Sequence, residues 1–231
     1  MSLLTAADLD AVALSLRVAT TAMAVDLPAA LACALILARG RFVGRNLLDA
    51  LVHLPLVLPP VATGYGLLVL FGRTGAIGAL LAPLGIVFAF HWTGAALAAA
   101  VMAFPLMVRP IRLSIEAIDR EVTESAKTLG APALVRLVRV TIPLAAPGLA
   151  AGALLGFAKA LGEFGATITF VGAIPGDTLT LPSAIYAATQ SPGDEARALA
   201  LCAVAALLAV AAVLLSDRLA RAAARWAGGR G

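Results

Sequence analysis

A charged stretch at residues 124–143, Glu-Ser-Ala-Lys-Thr-Leu-Gly-Ala-Pro-Ala-Leu-Val-Arg-Leu-Val-Arg-Val-Thr-Ile-Pro, interrupts an otherwise apolar chain. Of the 231 residues, 61% are hydrophobic and only 13% are charged. Soluble domains usually contain about a quarter charged residues, and a soluble fold could not bury this much apolar surface. The composition therefore predicts a membrane protein and argues against disorder and against nucleic-acid binding.

Charge-poor stretches on both sides of this segment are long enough to cross a bilayer, which requires about 20 apolar residues. We predict an all-α integral membrane protein with five transmembrane helices. The predicted spans are residues 13–38, 48–72, 91–109, 146–172 and 197–217. Residues 74–85 contain several glycines and Pro83, so we expect an interfacial or re-entrant piece there and not a sixth span.

Basic residues alternate between the predicted loops. The segments after the first, third and fifth spans hold 13 of the 17 lysines and arginines. Because basic loops stay in the cytoplasm, the N-terminus is expected in the periplasm and the C-terminus in the cytoplasm. Residues 218–231 are then a basic cytoplasmic tail.

Residues 109–145 form the longest of the predicted cytoplasmic segments. Apolar residues recur in it at helical spacing, which predicts one amphipathic helix. These residues are Ile115, Ile118, Val122, Ala126 and Leu129. Gly130 is expected to end this helix, Pro132 to begin a second one, and Pro143 and Pro147 to break the chain. Spacing alone leaves two interpretations open, a helix lying on anionic lipid and a bent shape that docks into a partner's groove.

Glu124-Ser125-Ala126, Gly130 and Val140-Thr141-Ile142-Pro143 resemble the EAA signature of type I ABC importer permeases. That signature is E-A-A, three residues, G, nine residues and I-x-L-P, from which this chain departs by mild changes at three positions. In the family this segment is the coupling helix, which sits in a cleft of the cytoplasmic ATPase. The resemblance implies that the coupling residues are Glu124, Ser125, Ala126, Leu129, Gly130, Ala131, Pro132 and Pro143.

The chain cannot itself be the ATP-hydrolysing subunit. Its two lysines, Lys127 and Lys159, both follow an alanine, whereas a Walker A sequence needs a glycine before its lysine. We therefore expect a transport subunit and not an enzyme. No cofactor is expected on this chain, since ATP and Mg²⁺ would be used by a partner ATPase.

Four further stretches resemble the molybdate permeases of this family, and the resemblance covers about residues 11–217. These stretches are residues 51–60, 104–109, 161–167 and 174–186. Sulfate and tungstate permeases share the Gly-Glu-(Phe/Tyr)-Gly element, so those two oxyanions remain alternative substrates. The resemblance implies a multi-pass protein of the bacterial inner membrane, with residues 11–217 as its ABC transmembrane domain. It also implies a homodimer that works with a cytoplasmic ATPase dimer and a periplasmic molybdate-binding protein.

Polar and helix-breaking residues inside the spans are candidates for the translocation pathway or its gate. The fourth span has a face of small residues at i, i+4 steps, namely Gly148, Gly152, Gly156 and Ala160. Lys159 and Glu163 are also spaced i, i+4 beside this face, and they form either a packing salt bridge or a gate. The prolines of the second span predict either a kinked, pathway-lining helix or a merely bent one. The pathway candidates are Pro59, Pro60, Gly64, Lys159, Gly162, Glu163, Phe164 and Gly165.

The remaining polar and aromatic residues of the spans carry less specific expectations. His53 is expected to make a polar contact, and no metal site is expected. Asp26, deep in the first span, is expected either to pair with Lys159 or another basic group or to be protonated. His91 and Trp92 are predicted interfacial anchors, and residues 182–190 a short helix at the outer surface.

Two other classes of function fit the sequence less well. A membrane enzyme would need Asp, Glu, His or Cys clustered at one depth, and the two histidines and scattered acids supply no such cluster. A channel or secondary transporter without an ATPase would be expected to have inverted repeats, and the two halves of this chain do not match.

Overall fold

The computed structural model describes residues 4–228, so residues 229–231 of the predicted basic tail lie outside it. The side chains of Arg120, Thr123, Ser216, Asp217 and residues 219–228 also lie outside the description. Residues 4–228 form helices and contain no strand. The α-helices are α1 (Ala6–Arg39), α2 (Arg45–Val57), α3 (Pro60–Phe71), α4 (Gly78–Leu81), α5 (Trp92–Glu116), α6 (Arg120–Thr128), α7 (Ala133–Arg136), α8 (Ile142–Leu144), α9 (Ala146–Leu161), α10 (Gly165–Val171), α11 (Leu181–Thr189) and α12 (Glu195–Gly228).

Within residues 4–228, three helices are long and apolar enough to cross a membrane by themselves. They are α1, α5 and the Glu195–Leu215 part of α12. Two bent helix pairs raise the number of candidate spans to as many as five, by length and composition. These pairs are Arg45–Val57 with Pro60–Phe71 and Ala133–Leu144 with Ala146–Leu161. The all-helical membrane class is therefore confirmed. The predicted first and fifth spans, residues 13–38 and 197–217, fall inside α1 and α12.

The predicted second span, residues 48–72, is not one kinked helix. It consists of α2 and α3, which meet at an angle of 113°. Pro60 is the first residue of α3 and Pro59 precedes it. Two successive residues without an amide hydrogen cannot continue the hydrogen bonds of α2, so the chain turns sharply and not gently.

The predicted fourth span, residues 146–172, is also broken. Helix α9 ends at Leu161 and α10 begins at Gly165, although no proline lies between them. The buried side chain of Glu163 accepts a hydrogen bond from the Ala166 amide at 3.0 Å and so caps the new helix. A side-chain acceptor for an otherwise free amide makes a break tolerable inside an apolar layer.

The predicted amphipathic helix through residues 115–129 is wrong at its start. Helix α5 continues past the predicted end of the third span, Arg109, as far as Glu116, so buried Ile115 belongs to α5. The side chain of Asp119 then accepts the Glu121 amide and caps a separate helix, α6. A strong N-cap residue begins a new helix, and the periodicity of apolar residues did not reveal it.

Helices α1, α5 and α9 form the centre of the bundle through small residues. The predicted glycine face of α9 is confirmed, because Gly148, Gly152 and Gly156 are buried against α5. A Cβ atom added to Gly152 would lie 3.0 Å from the Met107 carbonyl oxygen, and one added to Gly156 would overlap the Met107 sulfur. Alanines on α1 and α5 complete this packing, so the three backbones approach closely.

The bundle has two ends, which we name by residues of α1. At the Asp8 end, Asp8 contacts Arg197 at the start of α12, and Ser15 contacts Leu181 at the start of α11. Helix α11 confirms the predicted short helix near residues 182–190. At the Arg39 end, α1 and α5 end and α2 and α6 begin. Residues 74–85 contain only α4 and a 3₁₀ turn at Ala82–Leu84, too short for a span.

Candidate functional site

The charged segment at the Arg39 end is a sharp corner between two helices, which we call the elbow (residues 119–136). Gly130 has a φ of 78°, its amide donates to the Lys127 carbonyl at 3.0 Å, and the Ala131 amide donates to the Ala126 carbonyl at 3.1 Å. These two hydrogen bonds around a glycine with a left-handed backbone form a Schellman motif. The predicted helix end at Gly130 is therefore confirmed. Pro132 precedes α7 as its N-cap, one position earlier than predicted.

The elbow has apolar side chains that no other part of the described chain covers. Leu129 is 86% exposed and Leu134 is 71% exposed, while Glu124 and Ser125 beside them are also exposed. The guanidinium of Arg136 donates to the Ala131 carbonyl at 2.6 Å, which holds α7 against the corner. Large exposed apolar side chains on an ordered, charged surface are typical of a protein interaction site.

Pro143 does not break the chain where the sequence predicted a break. A π-helical turn at Leu137–Thr141 leads into α8, and Pro143 lies within α8. The helix turns by 70° only at its junction with α9, around Ala145. The wider π turn immediately before Pro143 accommodates a residue that cannot donate the usual helical hydrogen bond.

The breaks of the second and fourth predicted spans contact each other, with Gly64 and Ala166 buried and Pro59 and Pro60 exposed. A Cβ atom added to Gly165 would lie 2.7 Å from Pro60 Cβ, and one added to Gly64 would overlap the Ala166 carbonyl oxygen. We call this contact of α3 with α10 the crossing. Its two backbones touch because both positions lack a side chain, so a displacement of α3 would have to displace α10.

Lys159 and Glu163 form the salt bridge predicted from their spacing. Glu163 is only 3% exposed, and its other carboxylate oxygen is the one that accepts the Ala166 amide. Lys159 contacts Glu163 and not Asp26, so that one alternative for Asp26 is wrong, and protonation of Asp26 stays a prediction. Asp26 is 6% exposed, and within the described part of the chain its Oδ2 has no hydrogen-bond partner.

An aromatic pair connects the crossing to α11. The ring centroids of Phe164 and Tyr186 lie 5.1 Å apart, and Tyr186 is 51% exposed. The structure thus brings together most of the predicted pathway residues, namely Pro60, Gly64, Lys159, Glu163, Phe164 and Gly165, with Pro59 and Gly162 next to them in the chain. Their role in a pathway or gate stays a prediction.

The predicted polar contacts outside the crossing are of several kinds. His53 Nδ1 lies 2.8 Å from the Asp49 carbonyl oxygen, a polar contact as predicted. His91 caps α5, and the Arg17 guanidinium lies over the Trp92 ring at 3.7 Å. In the residues that the structure describes, no group of three or more His, Cys, Asp or Glu side chains could hold a metal ion.

Several polar contacts between helices far apart in the chain were not predicted, among them three made by arginines. Asp8 accepts hydrogen bonds from Arg197 at 2.7 Å, Arg17 stacks on Trp92, and Arg39 donates to the Thr141 hydroxyl at 3.1 Å. The one available signal was that Arg17 and Arg197 are isolated basic residues in charge-poor surroundings. Such residues need partners, but their spacing in the chain does not identify them.

Comparison with known proteins gives consistent relatives over nearly the whole chain. A model of the family described as "binding-protein-dependent transport system inner membrane component" matches residues 27–227. The molybdenum transport system permease protein ModB of Escherichia coli (strain K12) is 50% identical over 227 residues, 98% of this chain and 99% of that protein. ModB of Haemophilus influenzae is 49% identical over 93% of this chain and 94% of its own length.

More distant matches agree with this result. The sulfate transport system permease protein CysT of E. coli (strain K12) is 37% identical over 80% of this chain and 68% of that protein. A crystal structure of a bacterial ABC transporter involved in alginate import has a TM-score of 0.77 over 94% of this chain and 80% of that one. At 18% identity it supports the fold alone. The chain therefore belongs to the family of inner membrane components of binding-protein-dependent transport systems, and it is a transport subunit and not an enzyme.

Proposed function

We propose that this chain is the membrane-spanning permease subunit of an ATP-binding-cassette importer that translocates molybdate across the bacterial inner membrane. The observation that carries this proposal is the 50% identity to a molybdenum transport permease over 98% of the chain. Sulfate is a weaker alternative, because the sulfate permease is 37% identical over a smaller share of the chain, 80%. Tungstate is the other alternative, since a closely related oxyanion would meet the same pathway.

The proposed topology has five spans, with the N-terminus in the periplasm and the C-terminus in the cytoplasm. What supports it is the distribution of basic residues between the two ends of the bundle. The Arg39 end and the elbow carry Arg39, Arg41, Arg45, Arg109, Arg112, Lys127, Arg136 and Arg139. The Asp8 end has Arg17, Arg73 and Arg197, and two of these three are engaged by Trp92 and Asp8. The positive-inside rule then assigns the Arg39 end to the cytoplasm.

The elbow is the proposed docking site for a cytoplasmic ATPase dimer. Exposed Leu129 and Leu134 supply apolar contacts that would be buried in a cleft, and Glu124 and Ser125 supply polar contacts at its rim. ATP and Mg²⁺ would bind to that partner and not to this chain. Closure of the ATPase dimer on ATP would then move the elbow together with α5 and α9, which continue from its two sides.

The crossing is the proposed gate of the pathway. Because Gly64, Gly165 and Pro60 bring two backbones into contact, a small displacement of α3 is passed directly to α10. The Lys159–Glu163 pair neutralises itself, so this wall would not hold a dianion tightly. Weak binding suits a conducting route, since a tightly held ion would be released slowly. Selection of the oxyanion is therefore assigned to a separate periplasmic binding protein that docks at the Asp8 end.

A second copy of this chain is proposed to complete the pathway by packing against α2 and α3. Helix α2 contains no buried residue. Its apolar side chains continue onto α3, where Val61 and Tyr65 are 57% and 62% exposed. In the homodimer this surface, next to the crossing, would face the partner copy and the pathway between the two.

The proposed function is tested by oxyanion uptake. The chain, its ATPase and its binding protein are expressed in a bacterial strain without molybdate uptake, and entry of labelled molybdate is measured with unlabelled molybdate, tungstate or sulfate in excess. We expect ATP-dependent molybdate entry, strong competition by molybdate and tungstate, and weak competition by sulfate. Stronger competition by sulfate than by molybdate would show that sulfate, and not molybdate, is the preferred substrate. Entry that needs no ATPase would contradict the proposed transport mechanism.

A further inference from the structure

Both sides of the elbow are joined to the short connection between α1 and α2. This connection, residues 39–45, begins with Arg39 at the end of α1 and finishes with Arg45 at the start of α2. The elbow continues on one side into α5, which ends at Glu116, and on the other side into the π turn, which ends at Thr141. We call the end of α5 the first root of the elbow, and the π turn its second root.

At the second root, the guanidinium of Arg39 donates a hydrogen bond to the Thr141 hydroxyl at 3.1 Å. The two residues are 102 positions apart in the chain, and Thr141 is completely buried. A hydrogen bond from a charged group is directional and stronger than one between neutral groups. This contact therefore fixes the position of the π turn relative to the end of α1.

At the first root, Arg45 and its neighbours hold the end of α5. The Arg45 guanidinium lies 3.6 Å from the Glu116 carboxylate, and its Nε donates to the Leu37 carbonyl of α1 at 2.8 Å. One turn further along α2, Asp49 accepts a hydrogen bond from Arg112 of α5 at 2.9 Å. The same connection thus contacts both roots, and it does so through arginine side chains.

Apolar packing also joins the two roots to α1, but it constrains them less. Leu37 of α1, Ile115 of α5 and Ala145 beside the second root belong to one buried cluster. Packing of this kind is non-directional, so it does not single out one pair of atoms as the link between the helices. The arginine contacts, in contrast, are directional links between named atoms of the connection and of each root.

We propose that Arg39 is a positioning residue for transport, which passes movement of the elbow to α1 through its hydrogen bond to Thr141. This inference rests on the proposed function, because it requires an ATPase that moves the elbow. When the ATPase displaces the elbow, the second root pulls α1 through Arg39. The first root moves α2 through two contacts, Glu116 with Arg45 and Arg112 with Asp49. Helix α2 leads directly into α3, which forms the crossing.

The test replaces Thr141 and Arg39 in the complete transporter, reconstituted in lipid vesicles with its ATPase and binding protein. Thr141→Val keeps the shape of the side chain and removes the hydroxyl, whereas Thr141→Ser keeps the hydroxyl. Molybdate entry and ATP hydrolysis are measured on the same vesicles, and their ratio is the readout. Thermal unfolding of each purified complex is followed in parallel, because a purely structural contact would change the melting temperature and leave the ratio unchanged.

We expect Thr141→Val and Arg39→Ala each to lower molybdate entry per ATP by about tenfold, the effect of losing one hydrogen bond to a charged group. Their melting temperatures should fall by only about 2–4 °C, the effect of losing about 1 kcal/mol in a chain of this size. Arg39→Lys and Thr141→Ser should restore most of the ratio, and the double variant Arg39→Ala/Thr141→Val should be no worse than either single one. Arg41→Ala, at an exposed position of the same connection, is the matched control and should behave like the unmodified complex.

An unchanged ratio in both Thr141→Val and Arg39→Ala would overturn the inference, and so would additive losses in the double variant. Because Arg39 is exposed, Arg39→Ala keeps the inference testable even if Thr141→Val does not fold. The unmodified complex separates this outcome from failure of the proposed function. If it imports molybdate with ATP while both variants match it, only the Arg39 link is wrong. If it shows no ATP-driven import, the proposed function and the link fail together.

Discussion

The centre of the bundle and the elbow are built by opposite means. In the centre, α5 and α9 touch because glycines leave room for a neighbour, and Gly156 lies directly against Met107. In the elbow, Gly130 has open space where a side chain would be, and its role is to allow a positive φ. The same residue type therefore specifies close packing in one region and an exposed corner in the other. The centre is expected to tolerate little change in volume, and the elbow little change in shape.

The largest loss of stability is expected from filling the centre. Gly156→Leu would force a side chain into the space of Met107, where a Cβ alone already overlaps the sulfur. We expect the free energy of unfolding to fall by about 3 kcal/mol or more, because overpacked cores must shift backbone. Thermal unfolding in detergent and the yield of folded protein measure this effect. The matched control is Gly66→Leu, where an added Cβ meets nothing within 4 Å. Equal losses in the two variants would refute the packing argument.

A smaller loss is expected at the Lys159–Glu163 pair. Lys159→Gln leaves the buried Glu163 carboxylate without its cation, and we expect a loss of about 2 kcal/mol. Glu163→Gln should cost less, since the amide oxygen can still accept the Ala166 amide and the lysine is partly exposed. Thermal unfolding of both single variants and of the double variant gives the coupling between them. If the double variant lost as much as the two singles combined, mutual neutralisation would not be the role of the pair.

The smallest change in stability is expected at the elbow. Gly130→Leu should cost only about 1 kcal/mol, because its left-handed backbone is strained for a residue with a side chain while nothing nearby is displaced. The new side chain would nevertheless fill the proposed contact surface, so ATPase binding and molybdate uptake should be lost. Co-purification of the ATPase and uptake into vesicles measure these effects.

Gly176→Leu is the control for Gly130→Leu. Gly176 has a φ of 81° and equally open surroundings, but it follows α10 towards the Asp8 end. It should show a similar loss of stability and retain the ATPase. Retention of the ATPase by Gly130→Leu with undiminished uptake would remove the elbow from the docking site.

Local features of the structure were predictable from the sequence. The Gly130 corner, the Lys159–Glu163 bridge and the glycine face of α9 each depend on residues within a few turns of one another. Helical spacing relates such residues directly, so the chain itself records their proximity. The resemblance of Glu124–Pro143 to a known signature also identified the elbow before its geometry was known.

Breaks in helices and contacts between helices were less predictable. No proline marks the break between α9 and α10 in the sequence. The buried carboxylate of Glu163, which caps α10, makes this break possible without one. The contacts of Arg17 with Trp92 and of Arg39 with Thr141 depend on which faces of separate helices meet. A single sequence specifies the apolar face of each helix, but it does not specify the angle at which two such faces pack.

The contact between Asp8 and Arg197 has a consequence for biogenesis. Asp8 is fully buried, and three hydrogen bonds from the Arg197 guanidinium reach its carboxylate across 189 residues of sequence. While the ribosome is still producing the middle of the chain, that carboxylate has only Thr5 beside it and lacks its cation. The contact between α1 and α12 can therefore form only after α12 has been synthesised and inserted. A chain truncated before α12 would keep the Asp8 carboxylate without the guanidinium that neutralises it.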